Sequence, residues 1–421
     1  MTDPHFKTKA SAALAETLDA ADPLRTMRDR FILPEGVIYL DGNSLGALPR
    51  GVADRVGRAL ADEWGTDLIT SWNKAGWIGL PKKIGARIAR LIGAREDSVV
   101  AADSTSVNLF KLLSAALAMK PDRRKIVSER DNFPTDLYMV EGLAALLDRG
   151  HRLVLAEQPQ DIPGLIDADT AVVMLTHVNY RSGLMHDMAG LTSAAHRAGA
   201  LTIWDLCHSA GAVPVDLGNA HADFAVGCGY KYLNGGPGAP SFLYVAPHCL
   251  AEAVQPLTGW FSHARPFAFE PGFAPAGGID RFLCGTPPVL SLAALDAALD
   301  VWDGVDMNQL RNKSMQLTDF FVAAVEKLCT GHGLELASPR DAERRGSQIS
   351  FALPDNGYAV MQALISRGVI GDFRAPDIMR FGFTPLYVGF ADAWNAAEIL
   401  ADILATQAWD RPAFTTRGAV T

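Results

Sequence analysis

Residues 201–238 read LTIWDLCHSAGAVPVDLGNAHADFAVGCGYKYLNGGPG. The run Leu201–Trp204 is apolar or β-branched and ends in Asp205, with His208 three residues on. Phe224–Val226 is a second such run, and after it Lys231 stands in a loop rich in glycine. Short runs with no polar face are what strands covered on both sides require. Ligands of such sheets gather beyond the carboxyl ends of the strands, so the polar residues that follow strands are the first candidates for chemistry.

The same rhythm extends in both directions. Ser98–Ala101, Lys125–Ser128, Arg152–Leu155, Ala171–Leu175 and Ser241–Val245 read as further strands. Val107–Met119, Thr135–Asp148 and Met188–Ala198 read as the helices between them. That alternation predicts an α/β domain with a mostly parallel sheet and helices on both faces. Beyond Pro288, helices are predicted at Leu290–Trp302 and Gln309–Leu328. The strands Ser347–Ala352 and Ile378–Gly382 then mix with the helices Tyr358–Arg367 and Ala391–Ala405, the pattern of a smaller α+β domain. At the other end, residues 11–30 read as a short helix and a charged linker. Val37–Leu40 reads as a strand leading into Asp41-Gly42-Asn43-Ser44-Leu45-Gly46, and the last dozen residues as frayed.

Composition narrows the function. The 421 residues carry 38 Lys and Arg against 47 Asp and Glu, a net charge of −9. That balance disfavours nucleic acid and anionic membranes as partners, since both need a basic footprint. The five cysteines, Cys207, Cys228, Cys249, Cys284 and Cys329, are odd in number and include no CxxC pair. Neither a disulfide framework nor a metal site of familiar spacing is expected. The amino terminus lacks the apolar core of a signal peptide, and no apolar run approaches the ~20 residues of a membrane span. A soluble, cytoplasmic protein is the expectation.

Four turns adjoining strands suit the parts of one cofactor. A carboxylate at a strand end, Asp205, can keep a pyridine nitrogen protonated. Lys231 offers the amine that an aldehyde cofactor needs for a Schiff base. Thr105 and Ser106 open a helix whose N–H groups suit a phosphate. Phe133, just before Pro134, can stack on an aromatic ring. Singly, these features read as a helix cap, a surface amine, an N-cap and a core aromatic. Their order and spacing together carry the argument.

With those residues in view, the chain resembles the fold-type I pyridoxal-phosphate enzymes and, within them, the kynureninase family. The resemblance runs from LDGNSLG (40–46) through NFPTD (132–136), WDLCHSAGAVPVDL (204–217), GYKYLNGGPG (229–238), GW (259–260) and GTPPVL (285–290) to RFGFTPLY (380–387). It implies an aspartate-aminotransferase-like large domain with a seven-stranded, mostly parallel sheet, and a smaller α+β domain. The expected divisions are an amino-terminal segment 1–50 packed on the small domain, a large domain 51–300 and a small domain 301–421. It also implies pyridoxal 5'-phosphate as cofactor and a homodimer with shared active sites.

The implied roles follow residue by residue. Lys231 would bind the cofactor, Asp205 would pair with its ring nitrogen, and His208 would lie beside it. Phe133, Pro134, Thr135 and Asp136 would flank the ring, with Thr176 near its hydroxyl. Thr105, Ser106, Tyr230, Trp260 and Thr286 would surround the phosphate, partly from the neighbouring subunit. Arg380 would clamp the substrate α-carboxylate, a task suited to a bidentate guanidinium. Asn43, Ser44 and Trp72 would contact substrate.

The implied reaction is hydrolysis of L-kynurenine, or of 3-hydroxykynurenine, to anthranilate or 3-hydroxyanthranilate and L-alanine, in tryptophan catabolism or NAD biosynthesis. Lys231 would move the Cα proton. Tyr230 is the candidate acid/base for the later steps and would need its ordinary pKa of about 10 tuned. A class V aminotransferase, a cysteine desulfurase and a non-catalytic ligand sensor on the same fold remain open readings at this point.

Overall fold

The computed structural model describes Phe6 and residues 9–416. Its centre is a seven-stranded sheet. In chain order the strands are β1 Val99–Ala101, β2 Lys125–Glu129, β3 Arg152–Ala156, β4 Thr170–Thr176, β5 Leu201–Asp205, β6 Phe224–Gly227 and β7 Phe242–Val245. In space they run β1-β7-β6-β5-β4-β2-β3. β7 is antiparallel to both its neighbours, and the remaining pairings are parallel. Every residue of β1, β2, β4, β5, β6 and β7 is buried, which explains why most of those runs lack a polar face; the charged Lys125 and Glu129 of β2 are buried against Asp167 and His186.

The helices that cover this sheet include α1 Thr105–Met119, α2 Pro134–Leu147 and α3 Met188–Arg197, and the helix Leu80–Leu91 packs against β1. α1 begins at an N-cap, Ser104, whose hydroxyl accepts from Val107 N–H, and α2 begins on Pro134, whose fixed φ suits a first helical position. The register sets Thr176 opposite Asp205, and Asp205 opposite Val226. The carboxyl ends of β4, β5 and β6 therefore stand in a row, and the residues that follow them meet in one place.

Farther along come α4 Val289–Ala298 and the 22-residue α5 Met307–Leu328. A four-stranded antiparallel sheet follows, ordered β8-β9-β11-β10, from β8 Glu335–Leu336, β9 Gln348–Ala352, β10 Asp372–Arg374 and β11 Ile378–Gly382. It is accompanied by α6 Gly357–Ser366 and α7 Phe390–Thr406.

The amino-terminal segment is tied to this second sheet. Ile38–Tyr39 pairs in parallel with Val369–Ile370, and Gly382 N–H donates to the Leu40 carbonyl at 2.6 Å. This fixes the 41–46 turn between the two sheets.

Two features differ from the sequence expectation. The charged linker is a 3-10 turn, Arg25–Arg30, anchored by Arg28 to the Tyr387 carbonyl and Asp392. Residues 50–91, whose sequence shows no clear periodic element, form helices at Arg50–Arg58 and Leu80–Leu91. Of the carboxyl terminus, Pro412–Thr415 makes a helical turn, and residues 417–421 lie outside the described part. Among the described residues no helix is long and apolar enough to cross a membrane.

Candidate active site

The row of strand ends opens onto a cavity of about 720 Å³. Asp205 closes β5 and is buried, and its Oδ1 accepts from the Cys207 N–H at 2.7 Å. Asp136, in the first turn of α2, reaches the same place and is fully buried with no hydrogen-bond partner on either carboxylate oxygen. Burial, and then the charge of Asp205, pushes the Asp136 carboxyl well above its ordinary pKa. Burial also raises Asp205, although the bond from Cys207 and the charge of Lys231 work against this. Two buried carboxyl groups facing one cavity can share a proton or hold a cationic ring nitrogen.

Lys231 stands across from them. Its Nζ is 3.0 Å from His208 Nε2 and 5.8 Å from the centroids of the Phe133 and Tyr230 rings. Burial disfavours its ammonium, but the acidic groups around it, Cys228, Cys207, Tyr230 and Asp205, more than offset this and raise its pKa. Burial and then Lys231 drive His208 well below the usual imidazole value, so the ring is neutral and accepts from the amine. Its Nδ1 is buried without a partner. Burial pushes Tyr230 up to about 12, despite the nearby Lys231. The phenol is thus shifted upward from its ordinary value, and the group holds its proton at neutral pH.

The amino end of α1 forms another wall. Ser104, Thr105 and Ser106 line the cavity there, and Thr105 Oγ1 donates to Ser241 Oγ at 3.3 Å. Unpaired helix N–H groups with three hydroxyls suit a phosphate. Phe133 lies edge-on to Tyr180, with ring centroids 5.2 Å apart. Thr135 and Thr176 also face the space. Two buried carboxyl groups, one of them (Asp136) without a hydrogen-bond partner, a lysine, a helix-end anion site and an aromatic wall together fit a phosphorylated pyridine aldehyde.

Other sequence candidates stand outside the lining. Pro134 serves as the start of α2. Asn43 is fully buried under Ser44, where its amide, oriented oxygen toward Arg380 Nε (3.0 Å) and nitrogen toward Asp41 Oδ1 (3.3 Å), satisfies both neighbours. Arg380 is 2% exposed and is gripped by Asp372 through Nε and Nη2. Trp72 packs on Trp77 and Phe261, and Trp260 packs on Phe261 and Phe267. Thr286 is exposed.

Lining residues that sequence reasoning passed over include Tyr180, Cys207, Cys228 and Ser241. Each lies within a few positions of a strand of the central sheet, and that placement was the available signal. Elsewhere, Asp223, His248 and Cys249 bring one donor atom each within 4.8 Å. The Asp223 oxygens there already accept from His248 and His196 at 2.8 Å.

Comparison with known proteins sets this geometry in a family. A kynureninase of Pseudomonas fluorescens is 56% identical over 408 residues, covering 96% of this chain and 98% of that one. The chain belongs to the kynureninase family. A kynureninase of Burkholderia mallei (strain SAVP1) is also 56% identical, over 99% of this chain and 100% of its own. The family profile described as the kynureninase C-terminal domain matches residues 310–400. Among solved structures, a cysteine desulfurase from Thermococcus onnurineus NA1 superposes with a TM-score of 0.75 at 20% identity, over 90% of this chain and 98% of its own. A C-DES mutant with glycine covalently linked to its PLP cofactor gives 0.77 at 18% identity, over 89% and 98%. At those identities the likeness concerns the fold. Kynureninase-family membership over nearly the whole length favours none of the desulfurase, aminotransferase and sensor readings.

Proposed function

We infer that the protein hydrolyses L-kynurenine to anthranilate and L-alanine, with pyridoxal 5'-phosphate as cofactor. The observation that carries this reading is the meeting of Lys231 with Asp205 and Asp136 in one cavity of a kynureninase-family chain. Bound there, the cofactor supplies an electron sink for negative charge at the substrate carbons.

The residues divide the remaining work. Asp205 holds a proton at the pyridine nitrogen, fixed in place by the Cys207 N–H. Lys231 moves the proton at substrate Cα, and the neutral His208 beside it gives the amine a hydrogen-bond acceptor. Water adds to the γ-carbonyl carbon, and as the Cβ–Cγ bond then breaks the hydroxyl stays on that carbon as the anthranilate carboxylate, while Tyr230, which keeps its phenolic proton, can deliver that proton to Cβ. Thr105 and Ser106 bind the phosphate. Phe133, Thr135 and Thr176, which line the cavity, would hold the cofactor's ring. Arg380 and Ser44 are assigned to the substrate carboxylate.

A homodimer with shared sites accounts for Trp72, Trp260 and Thr286, which fall outside the lining of their own chain's cavity. Their surroundings support the reading. Ile69 is exposed beside Leu68, and Phe269 beside Phe267 and Phe273, and contiguous exposed apolar patches mark interaction surfaces. In this reading segment 1–50 packs with the small domain 301–421 beside the large domain 51–300, the protein works in the cytoplasm in tryptophan catabolism, and 3-hydroxykynurenine is a further substrate. The direct test is anthranilate formation from L-kynurenine by the purified holoenzyme, abolished in Lys231→Ala.

A further inference from the structure

Between the cavity and the second sheet sits a compact set of charges. Asp372, 1% exposed, accepts from Arg380 Nε at 2.7 Å, from Arg380 Nη2, from Arg374 Nη2 at 2.6 Å and from Ser44 Oγ at 2.8 Å. Ser44 Oγ in turn accepts from Arg380 Nη2 at 2.7 Å and lies 3.3 Å from Arg374 Nη2. Ser44 lines the cavity, so both guanidinium groups stand one hydroxyl away from it.

The two arginines are not equally free. A guanidinium has five N–H donors. On Arg380, Nε bonds Asp372, both Nη2 donors meet Ser44 and Asp372, and Nη1 bonds the Tyr180 carbonyl at 2.8 Å. One donor remains, on Nη1. Arg374 uses only Nη2, toward Asp372 and Ser44. Its Nε is buried with no partner, and its side chain is 40% exposed. A buried unpaired guanidinium N–H is costly unless a ligand takes it. Both charges also act on His208, which lines the cavity, and help to keep its ring neutral.

We propose that Arg374 is a second substrate-carboxylate residue, working with Arg380 through the shared Asp372 and Ser44, and that Asp372 is the positioning residue that orients both guanidinium groups. The proposal deepens the reading of the protein as a kynurenine hydrolase and rests on it. It shifts most of the free donor capacity for an α-carboxylate from Arg380 to the neighbouring strand β10.

The test compares two ligands that differ only in that group: L-kynurenine and its decarboxylated amine. Each is titrated into the holoenzyme, and binding is read from the cofactor's visible spectrum. The ratio of the two dissociation constants measures what the carboxylate contributes. Loss of a charge-assisted pair should reduce that ratio by about 10- to 100-fold in Arg374→Gln. Arg374→Lys keeps the charge but lacks the Nε–H, so it should fall between. Asp372→Asn should shift KM more than kcat, with the visible band retained.

An unchanged ratio in Arg374→Gln, in protein that keeps the band and the wild-type melting temperature, would overturn the proposal, since a purely structural arginine predicts that result. Failure of the underlying reading looks different: wild-type holoenzyme would then release no anthranilate at all.

Discussion

The Gly46 N–H donates to the Tyr230 carbonyl at 2.8 Å, joining the 41–46 turn directly to the loop that carries Lys231. A Cβ on Gly46 would overlap the Lys231 carbonyl oxygen and Asn234 Oδ1, so the two segments touch backbone to backbone. Asn234 itself holds a left-handed φ of 58°, which leaves that loop little room to yield. The same turn is bound on its other side to Gly382 of β11. Substrate residues from one end of the chain and the reactive lysine are thereby held in one frame.

Gly46→Ala should therefore displace Lys231 without touching any reacting group. Misplacement of about 1 Å costs on the order of 100-fold in turnover. Steady-state kinetics with L-kynurenine would check this, and wild-type kcat in the variant would show that the loop has slack.

Tyr230→Phe should keep the cofactor's visible band, because the amine, the carboxyl pair and the phosphate hydroxyls are untouched. Turnover should fall by about 100-fold or more if the phenol supplies a proton. Band and rate are measured on the same sample, and full turnover would remove the phenol from the reaction.

Arg380 is enclosed with Asp372, and truncating it leaves that buried carboxylate only Arg374 and Ser44 as partners. Arg380→Leu should lower stability by about 1.5–3 kcal/mol in denaturant titration, besides weakening substrate binding. A change under about 1 kcal/mol would mean that Arg374 and Ser44 alone satisfy Asp372.

The carboxyl of Asp41 is pushed up to about 7, first by burial and then by Asp372, while Arg380, Ser44 and Arg374 pull it down. Tyr39 and Tyr387, also beside it, remain protonated at this pH because burial raises both. The folded protein thus binds a proton that the unfolded chain gives up near pH 4. Stability should fall as pH rises from about 4 to about 7, and Asp41→Asn should flatten that slope. Substrate carboxylate adds a negative charge nearby, so KM should also rise as pH climbs through 7 in the wild type more than in Asp41→Asn. Parallel pH profiles for the two proteins would contradict this.

Much of this architecture is legible in the sequence, for a physical reason. Six of the seven central strands are buried throughout and leave short, mostly apolar runs, while β3, at the sheet's edge and only partly buried, is still legible from Leu153-Val154-Leu155. Asp205, Thr105, Phe133 and Lys231 stand beside strands or at helix starts, where chain order fixes position. Tyr180, Cys207, Cys228 and Ser241 share that placement, yet their residue types signal no particular chemistry. The pairing of Arg380 with Asp372 joins adjacent antiparallel strands, and no local periodicity reports which arginine keeps free donors. The helices at Arg50–Arg58 and Leu80–Leu91 escaped because basic residues interrupt their apolar faces, Arg50, Arg55 and Arg58 in the first and Lys82, Lys83, Arg87 and Arg90 in the second.

The most direct test is a single cuvette. Purified protein loaded with pyridoxal phosphate is scanned for a visible band, then given L-kynurenine while anthranilate fluorescence is followed. The account expects the band, growing fluorescence, and neither in Lys231→Ala. A stable band with no anthranilate would contradict the assigned reaction, and no band at all would contradict the assignment of Lys231 as the cofactor's anchor.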